Sequence, residues 1–281
     1  WRAAIFAIFL TSGLSIATWA SRVPSIKADL DISNAQIGLI LLAMGVSSIL
    51  GISTSPAVMA RVGVRRGMLT MMTTFAIGLA LIGIGSTVAS SVPLVIIGLV
   101  LFGFGNGCVD VMMNVEGTAI EQHASRTILP LFHAFFSFGT VLGAGLGWLA
   151  AGWRVPVVAH AGFVSVLILV IALVSIANVP RREGVFDEPD DGERTPWRAK
   201  MHVALSAWRE PRTYALGVIM LGMSFAEGGA NDWLALGVAE DHGGGPALGA
   251  AALTVFSVCM TAVRIIGGPL VDRFGRVIVL R

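Results

Sequence analysis

The sequence predicts an all-α protein that crosses a lipid bilayer many times. Three observations carry that expectation. The 281 residues are 55% hydrophobic and 13% charged, with a mean hydropathy of +0.82, which leaves too little polar surface to cover a soluble globule of this size. Apolar runs of about 20 residues, the length that crosses a hydrocarbon core of about 30 Å, follow one another along nearly the whole chain. Basic residues gather in alternate connections between those runs, the pattern of the positive-inside rule.

The first run, residues 2–20, is too long for a removable signal peptide, and no small-residue cleavage site follows it. Runs 37–60 and 67–89 are parted by the arginine-rich RVGVRR, and run 92–119 opens just after a Ser-Ser pair. Runs 128–151 and 156–178 flank the short GWRVP connection. A long polar, Pro-rich stretch precedes 213–237, and DHGGG precedes 247–270. That makes eight spans, and the closing VIVLR reads as the opening of a ninth, so the chain is expected to be a fragment. Residues 1–179 are expected to form an N-terminal six-helix bundle, 180–212 a cytoplasmic linker and 213–281 the start of a second bundle. Within the linker, HVALSAW reads as a turn or two of helix on the membrane face.

Placing the N-terminus in the cytoplasm puts 15 basic residues inside, among them Arg61, Arg65, Arg66 and seven from Arg181 to Arg212. Only Arg22, Lys27 and Arg154 then lie outside. The net charge of +2 comes with no Lys/Arg block interleaved with aromatics, so no nucleic-acid partner is expected. Cys108 and Cys259 both fall within spans and read as small apolar groups rather than a disulfide. GFGNG and GAGLG lie inside apolar helices, whereas phosphate-binding loops need a strand leading into a helix N-terminus. With no Walker sequence, metal-ligand spacing or catalytic triad in view, no enzyme, cofactor or metal is expected.

The two sides of the linker resemble each other. Superposing Arg61-Val62-Gly63 on Arg273-Phe274-Gly275 gives an offset of 212, and Thr18-Trp19 on Asp232-Trp233 gives 214, which suggests a parallel repeat. Gly268, Asp272, Arg273, Gly275 and Arg276 in GPLVDRFGR resemble the signature loop of the major facilitator superfamily. The first copy is degenerate, with Pro56 and Ala60 in place of Gly and Asp. More narrowly, TWASRVPSIKADL, DVMMN, LFHAFFSFG and EGGANDW resemble the YbjJ-like, fucose-permease-related branch of inner-membrane transporters. The resemblance implies the superfamily's helical bundle, with the six N-terminal helices and the first two of the C-terminal bundle present. It also implies a monomer, multi-pass in the inner or plasma membrane. Leu101 stands where many proton-driven antiporters carry an arginine, and FGTVLGAGLGW lacks the proline motif of drug antiporters, which argues against drug export. The first span also lacks the carboxylate that symporters of the fucose type use.

A carboxylate near the middle of a bilayer costs about 2.5–3.5 kcal/mol on insertion scales, so Asp110 in CVDVMMNVEG demands a partner or a proton. At about 100° per residue, Gly103, Gly107, Asp110, Asn114 and Glu121 share one helix face. Asp110 and Asn114 then form either a proton- or substrate-binding site or a carboxylate locked to a neighbouring helix for assembly. His133 enters the next span at similar depth, where an imidazole relays a proton near neutral pH or simply packs through a hydrogen bond. Gly139, Gly143 and Gly147 read as a close-packing face. Glu227, Asn231 and Asp232 lie in one span, FAEGGANDW; because Glu227 and Asp232 diverge by about 140° in an unbroken helix, Gly228-Gly229 is expected to unwind and aim both acids into one cavity.

Thr254, Ser257, Thr261 and Arg264 form a polar stripe, with Arg264 either snorkelling to the surface or pairing with Glu116 or Glu121. Arg22 is expected to pair with Asp232 as an outer gate, and Asp272 and Arg273 to serve gating from the signature loop. These residues suggest a secondary transporter working by alternating access and coupled to protons, with Asp110, Asn114, His133, Glu227 and Asn231 at its site. Its substrate is expected to be a small polar molecule, sugar-like by the family resemblance. The alternatives are a transporter-derived solute sensor signalling through the linker, and a multidrug or metabolite efflux protein.

Overall fold

Residues 1–124, 128–180, 206 and 210–275 are described in the computed structural model, with side chains for all but 267–272. They fold as α1 (Arg2–Leu30), α2 (Asn34–Gly83), a π-helical turn (Ile84–Val88), α3 (Val92–Ala124), α4 (Leu129–Gly152), α5 (Val157–Ala177), α6 (Pro211–Glu240) and α7 (Gly245–Phe274). The fold class is therefore all-α. Among the described residues six helical runs are long and apolar enough to cross a membrane, and the run Asn34–Val88 contains two of the expected spans. The linker lies outside the described residues except at 180, 206 and 210–212, and HVALSAW lies outside them except for Ser206.

Burial rather than hydropathy extends α1. The apolar run ends near Ala20, yet Ser21, Arg22, Val23, Pro24 and Ile26 are all buried, and the helix continues through Pro24 until Asp31 closes it at φ 51°. A capping box, Ser33 with Gln36, then starts α2 ahead of its first apolar residue.

Two expected spans share α2, which is broken at Gly63. Gly103, Gly107 and Cys108 of α3 lie against Met44, Ser48 and Gly51, so the first arm of α2 runs parallel to α3. Gly98, Gly105 and Met112 lie against Gly78, Phe75 and Gly67, so the second arm runs antiparallel. The chain therefore reverses between the arms, at a residue with φ 77° and ψ 159° that favours glycine.

Helices α1 and α4 approach until backbone meets backbone. Gly13 faces the Phe136 carbonyl, Gly139 the Leu10 carbonyl and Gly143 the Leu14 carbonyl, while Gly147 meets the Ser21 side chain. A methyl group at any of these would collide, so the glycine face read from the sequence is the α1–α4 seam. Phe132 stacks on Phe9 at 5.4 Å beside that seam. Helix α5 closes on the second arm of α2, where Gly83 lies against Val158 and Ala161. Helix α7 docks on both α4 and α6, with Gly249 close to the Ala235 carbonyl.

The expected unwinding at Gly228-Gly229 does not occur. Helix α6 passes through both glycines without interruption. A glycine in a helix costs about 1 kcal/mol relative to alanine, less than stranding backbone hydrogen bonds away from water.

Candidate functional site

Four helices bring polar side chains together. From α3 come the exposed Asp110 and the half-buried Asn114 one turn on. The Asn114 amide donates to the Asp110 carbonyl at 2.8 Å, so it is tied to its own helix backbone rather than to the carboxylate. From α4 comes His133, which interacts electrostatically with both Asp110 and Arg264. Its ring stands edge-on to Phe9 at 5.3 Å, which fixes its orientation against α1.

Arg264 of α7 is the hub. Its Nη1 donates to Ser137 Oγ of α4 at 2.5 Å, and its Nη2 to Glu227 Oε1 of α6 at 2.7 Å. Ser137 in turn donates to the His133 carbonyl at 3.2 Å, so its hydroxyl both gives and accepts. The Arg264 and Glu227 side chains remain 34% and 41% exposed, so the ion pair is partly exposed rather than sealed in a core. The array Asp110, His133, Ser137, Arg264, Glu227 thus joins helices on both sides of the linker. It holds a carboxylate within electrostatic reach of an imidazole, with no hydrogen bond or ion pair between them among the described residues, and a guanidinium with two acceptors, a set able to move a proton and to hydrogen-bond a hydroxylated solute.

Sequence reasoning missed Ser137 and Asn106. Both had a signal: Ser137 follows His133 by four residues, and Asn106 precedes Asp110 by four, so each shares its neighbour's face. Ser12 of α1 donates to Asn106 Oδ1 at 2.8 Å, linking α1 to the polar stripe of α3.

Other expected contacts are replaced. The partners of Arg264 among the described residues are Ser137 and Glu227 rather than Glu116 or Glu121. Glu116 is fully buried and accepts from Trp1 Nε1 at 2.7 Å, while Glu121 accepts from the Ile128 and Leu129 amides at 2.7 and 2.8 Å, supplying the N-terminal cap of α4. Because α6 is unbroken, Asp232 does not join Glu227. Asp232 and Asn231 are half-buried and make no hydrogen bond or ion pair among the described residues.

The expected Arg22–Asp232 pair is likewise not formed. Arg22 Nη2 donates to the Val155 carbonyl at 2.7 Å, in the connection between α4 and α5. Lys27 instead pairs with Glu240, joining the far end of α1 to the far end of α6. Five residues separate Arg22 from Lys27, which places them about 140° apart around α1, so they address different neighbours. The Asp272 side chain lies outside the described ones, and the exposed Arg273 lies 5.5 Å from the Phe274 ring.

Comparisons with known proteins agree with this architecture. An uncharacterised MFS-type transporter of Yersinia pestis is 30% identical over 276 residues, covering 97% of this chain and 66% of the relative. An uncharacterised transporter of Sinorhizobium fredii is 28% identical over 286 residues, covering 100% and 70%. The chain therefore spans about two-thirds of the length of these relatives. The crystal structure of the nucleoside transporter NupG matches with a TM-score of 0.66 at 11% identity, over 97% of this chain and 68% of that one, a likeness of fold. The sequence pattern of the Major Facilitator Superfamily matches residues 4–281, and the chain belongs to that family of membrane transporters.

Proposed function

We propose that this chain works as a proton-coupled secondary transporter of a small, polar, sugar-like solute, within the YbjJ-like, fucose-permease-related branch. The observation that carries the reading is the array from Asp110 through His133, Ser137 and Arg264 to Glu227, which crosses from α3 and α4 to α6 and α7. On this reading residues 1–179 and 213–281 belong to two bundles that rock about the array, and 180–212 is the cytoplasmic linker. The N-terminus is cytoplasmic, in the inner or plasma membrane. The protein acts as a monomer.

A proton on Asp110 removes the negative charge facing His133, and a solute hydroxyl between the helices competes with Ser137 for Arg264. Both events favour one separation of the bundles over the other, which is what coupling requires: a ligand shifts a conformational equilibrium only by its differential affinity for the two states. Lys27–Glu240 closes the outer end when the array is open to the cytoplasm.

The test is uptake by the full-length protein in proteoliposomes under an imposed pH gradient, with labelled monosaccharides and, because the structural neighbour is a nucleoside transporter, nucleosides. Asp110→Asn should abolish accumulation against a gradient while leaving counterflow. Accumulation at the wild-type rate in that variant would remove Asp110 from the coupling site, and no uptake of any sugar or nucleoside would remove the substrate class.

A further inference from the structure

Four buried side chains with unpartnered polar atoms line one small cavity, away from the array just described. Thr18, Trp19, Arg22 and His160 are 1%, 2%, 4% and 6% exposed. Among the described residues Thr18 Oγ1, Trp19 Nε1, Arg22 Nε and Nη1, and both ring nitrogens of His160 have no hydrogen-bond partner. All four residues line a cavity between α1, the second arm of α2 and the start of α5, with Leu79 and Ile82 among its apolar walls and room for one small ion. Buried polar groups in native folds are satisfied almost without exception. So many unpaired atoms on one small cavity point to a ligand that pairs them.

The chemistry of the atoms selects that ligand. Arg22 and Trp19 offer only donors, and Thr18 and a ring N–H of His160 add two more. Among the described residues no carboxylate makes an ion pair with Arg22. Asp29 acts on it from a distance, and the Asp29 Oδ2 is held by Ser86 at 2.8 Å and Thr87 at 3.4 Å. His160 lies in the first turn of α5, where the helix presents the positive end of its dipole. A buried guanidinium is costly without a counter-charge. A water could donate to Thr18 Oγ1 and the unprotonated ring nitrogen of His160 but would leave the Arg22 charge uncompensated, whereas a monatomic anion accepts from the donors and neutralises Arg22. The cavity is too small for phosphate or a dicarboxylate.

We propose that this cavity binds one halide ion, chloride in the cell, held by Arg22, Trp19, Thr18 and His160, and that the ion fixes the C-terminal half of α1 to α5. The inference does not depend on the transport reading above.

The test uses the full-length protein in detergent with gluconate as the only other anion, titrated with chloride or bromide at constant ionic strength. A saturable rise in melting temperature is expected with either halide, and crystals grown in bromide should show an anomalous peak between Arg22 and His160. Arg22→Gln should lose the halide-dependent rise. Should that variant not fold, Trp19→Phe and Thr18→Val, each lacking one donor, should weaken halide affinity by about tenfold. The proposal is overturned by the absence of any halide-dependent rise in the wild type, by undiminished affinity in both Trp19→Phe and Thr18→Val, or by a water without anomalous signal at the site in bromide-grown crystals.

Discussion

Two arginines in membrane-spanning helices meet the same physical problem in opposite ways. Arg264 is a third exposed, and its guanidinium reaches Ser137 and Glu227, on helices from both sides of the linker. Arg22 is buried, and its one hydrogen-bond partner among the described residues is the Val155 carbonyl. On the proposed reading the partners of Arg264 sit on separate bundles, and a partly exposed charge so placed is arranged to exchange partners as those bundles move. A charge enclosed by α1, α2 and α5 is arranged to stay where it is. Both are intramembrane charges that need partners; on the proposed reading Arg264 serves motion and Arg22 serves assembly.

Substitution of the two arginines should separate these roles most sharply. Arg264→Gln is expected to abolish solute accumulation in proteoliposomes while the melting temperature stays close to wild type, because the side chain is already partly solvated. Arg22→Gln is expected to lower the melting temperature and folded yield far more than it lowers transport per folded molecule. Equal effects of the two substitutions on both measurements would break the distinction.

Next in size is the contrast between glycines at a seam and glycines in the open. Gly143→Leu drives a side chain into the Leu14 carbonyl and should cost about 1–3 kcal/mol or more, the range for overpacking, read as loss of monodisperse protein on size exclusion. At Gly228 and Gly229 a Cβ meets nothing within 4 Å, and the helix is already unbroken, so changing both to Ala should leave substrate affinity unchanged. A loss of affinity there would show that α6 unwinds in another state of the cycle.

Removing Glu227 together with Arg264 is a milder change than removing either alone, because it leaves no charge unpaired. The Glu227→Gln/Arg264→Gln double variant should therefore regain part of the counterflow lost in Arg264→Gln, measured as exchange at equal pH. No recovery would mean that Arg264 acts on solute directly rather than through its pair.

The smallest effect belongs to Lys27–Glu240, whose side chains are 17% and 36% exposed. Exposed pairs contribute about 0–1 kcal/mol, so Lys27→Gln should slow exchange by no more than about fivefold. The reversal Lys27→Glu with Glu240→Lys should restore it.

The helices were legible in the sequence because lipid imposes a length and an apolar composition on every span, and the Gly139, Gly143, Gly147 spacing disclosed the α1–α4 seam. The extension of α1 to Leu30 was not legible, since it depends on burial of Arg22, Val23 and Ile26 by helices distant in sequence. Of the polar residues, Asp110, His133, Glu227 and Arg264 stood out because charge in an apolar run is conspicuous. Their partners did not stand out. Ser137 is unremarkable in composition, and the choice of Lys27 over Arg22 as the residue that meets α6 turns on about 140° of helix rotation, which only the packing of α1 against α4 and α5 decides.

Cysteines at positions 27 and 240, in a full-length protein with Cys108 and Cys259 replaced by Ala, would report directly on whether the polar array governs the movement of the two bundles. With wild-type Asp110, the yield of the 27–240 crosslink in proteoliposomes should change between neutral and mildly acidic buffer, as protonation redistributes the open and closed forms. With Asp110→Asn the yield should be fixed at one value across the same range. A crosslink whose pH response is the same in both backgrounds would contradict the assignment of coupling to Asp110 and the array around Arg264.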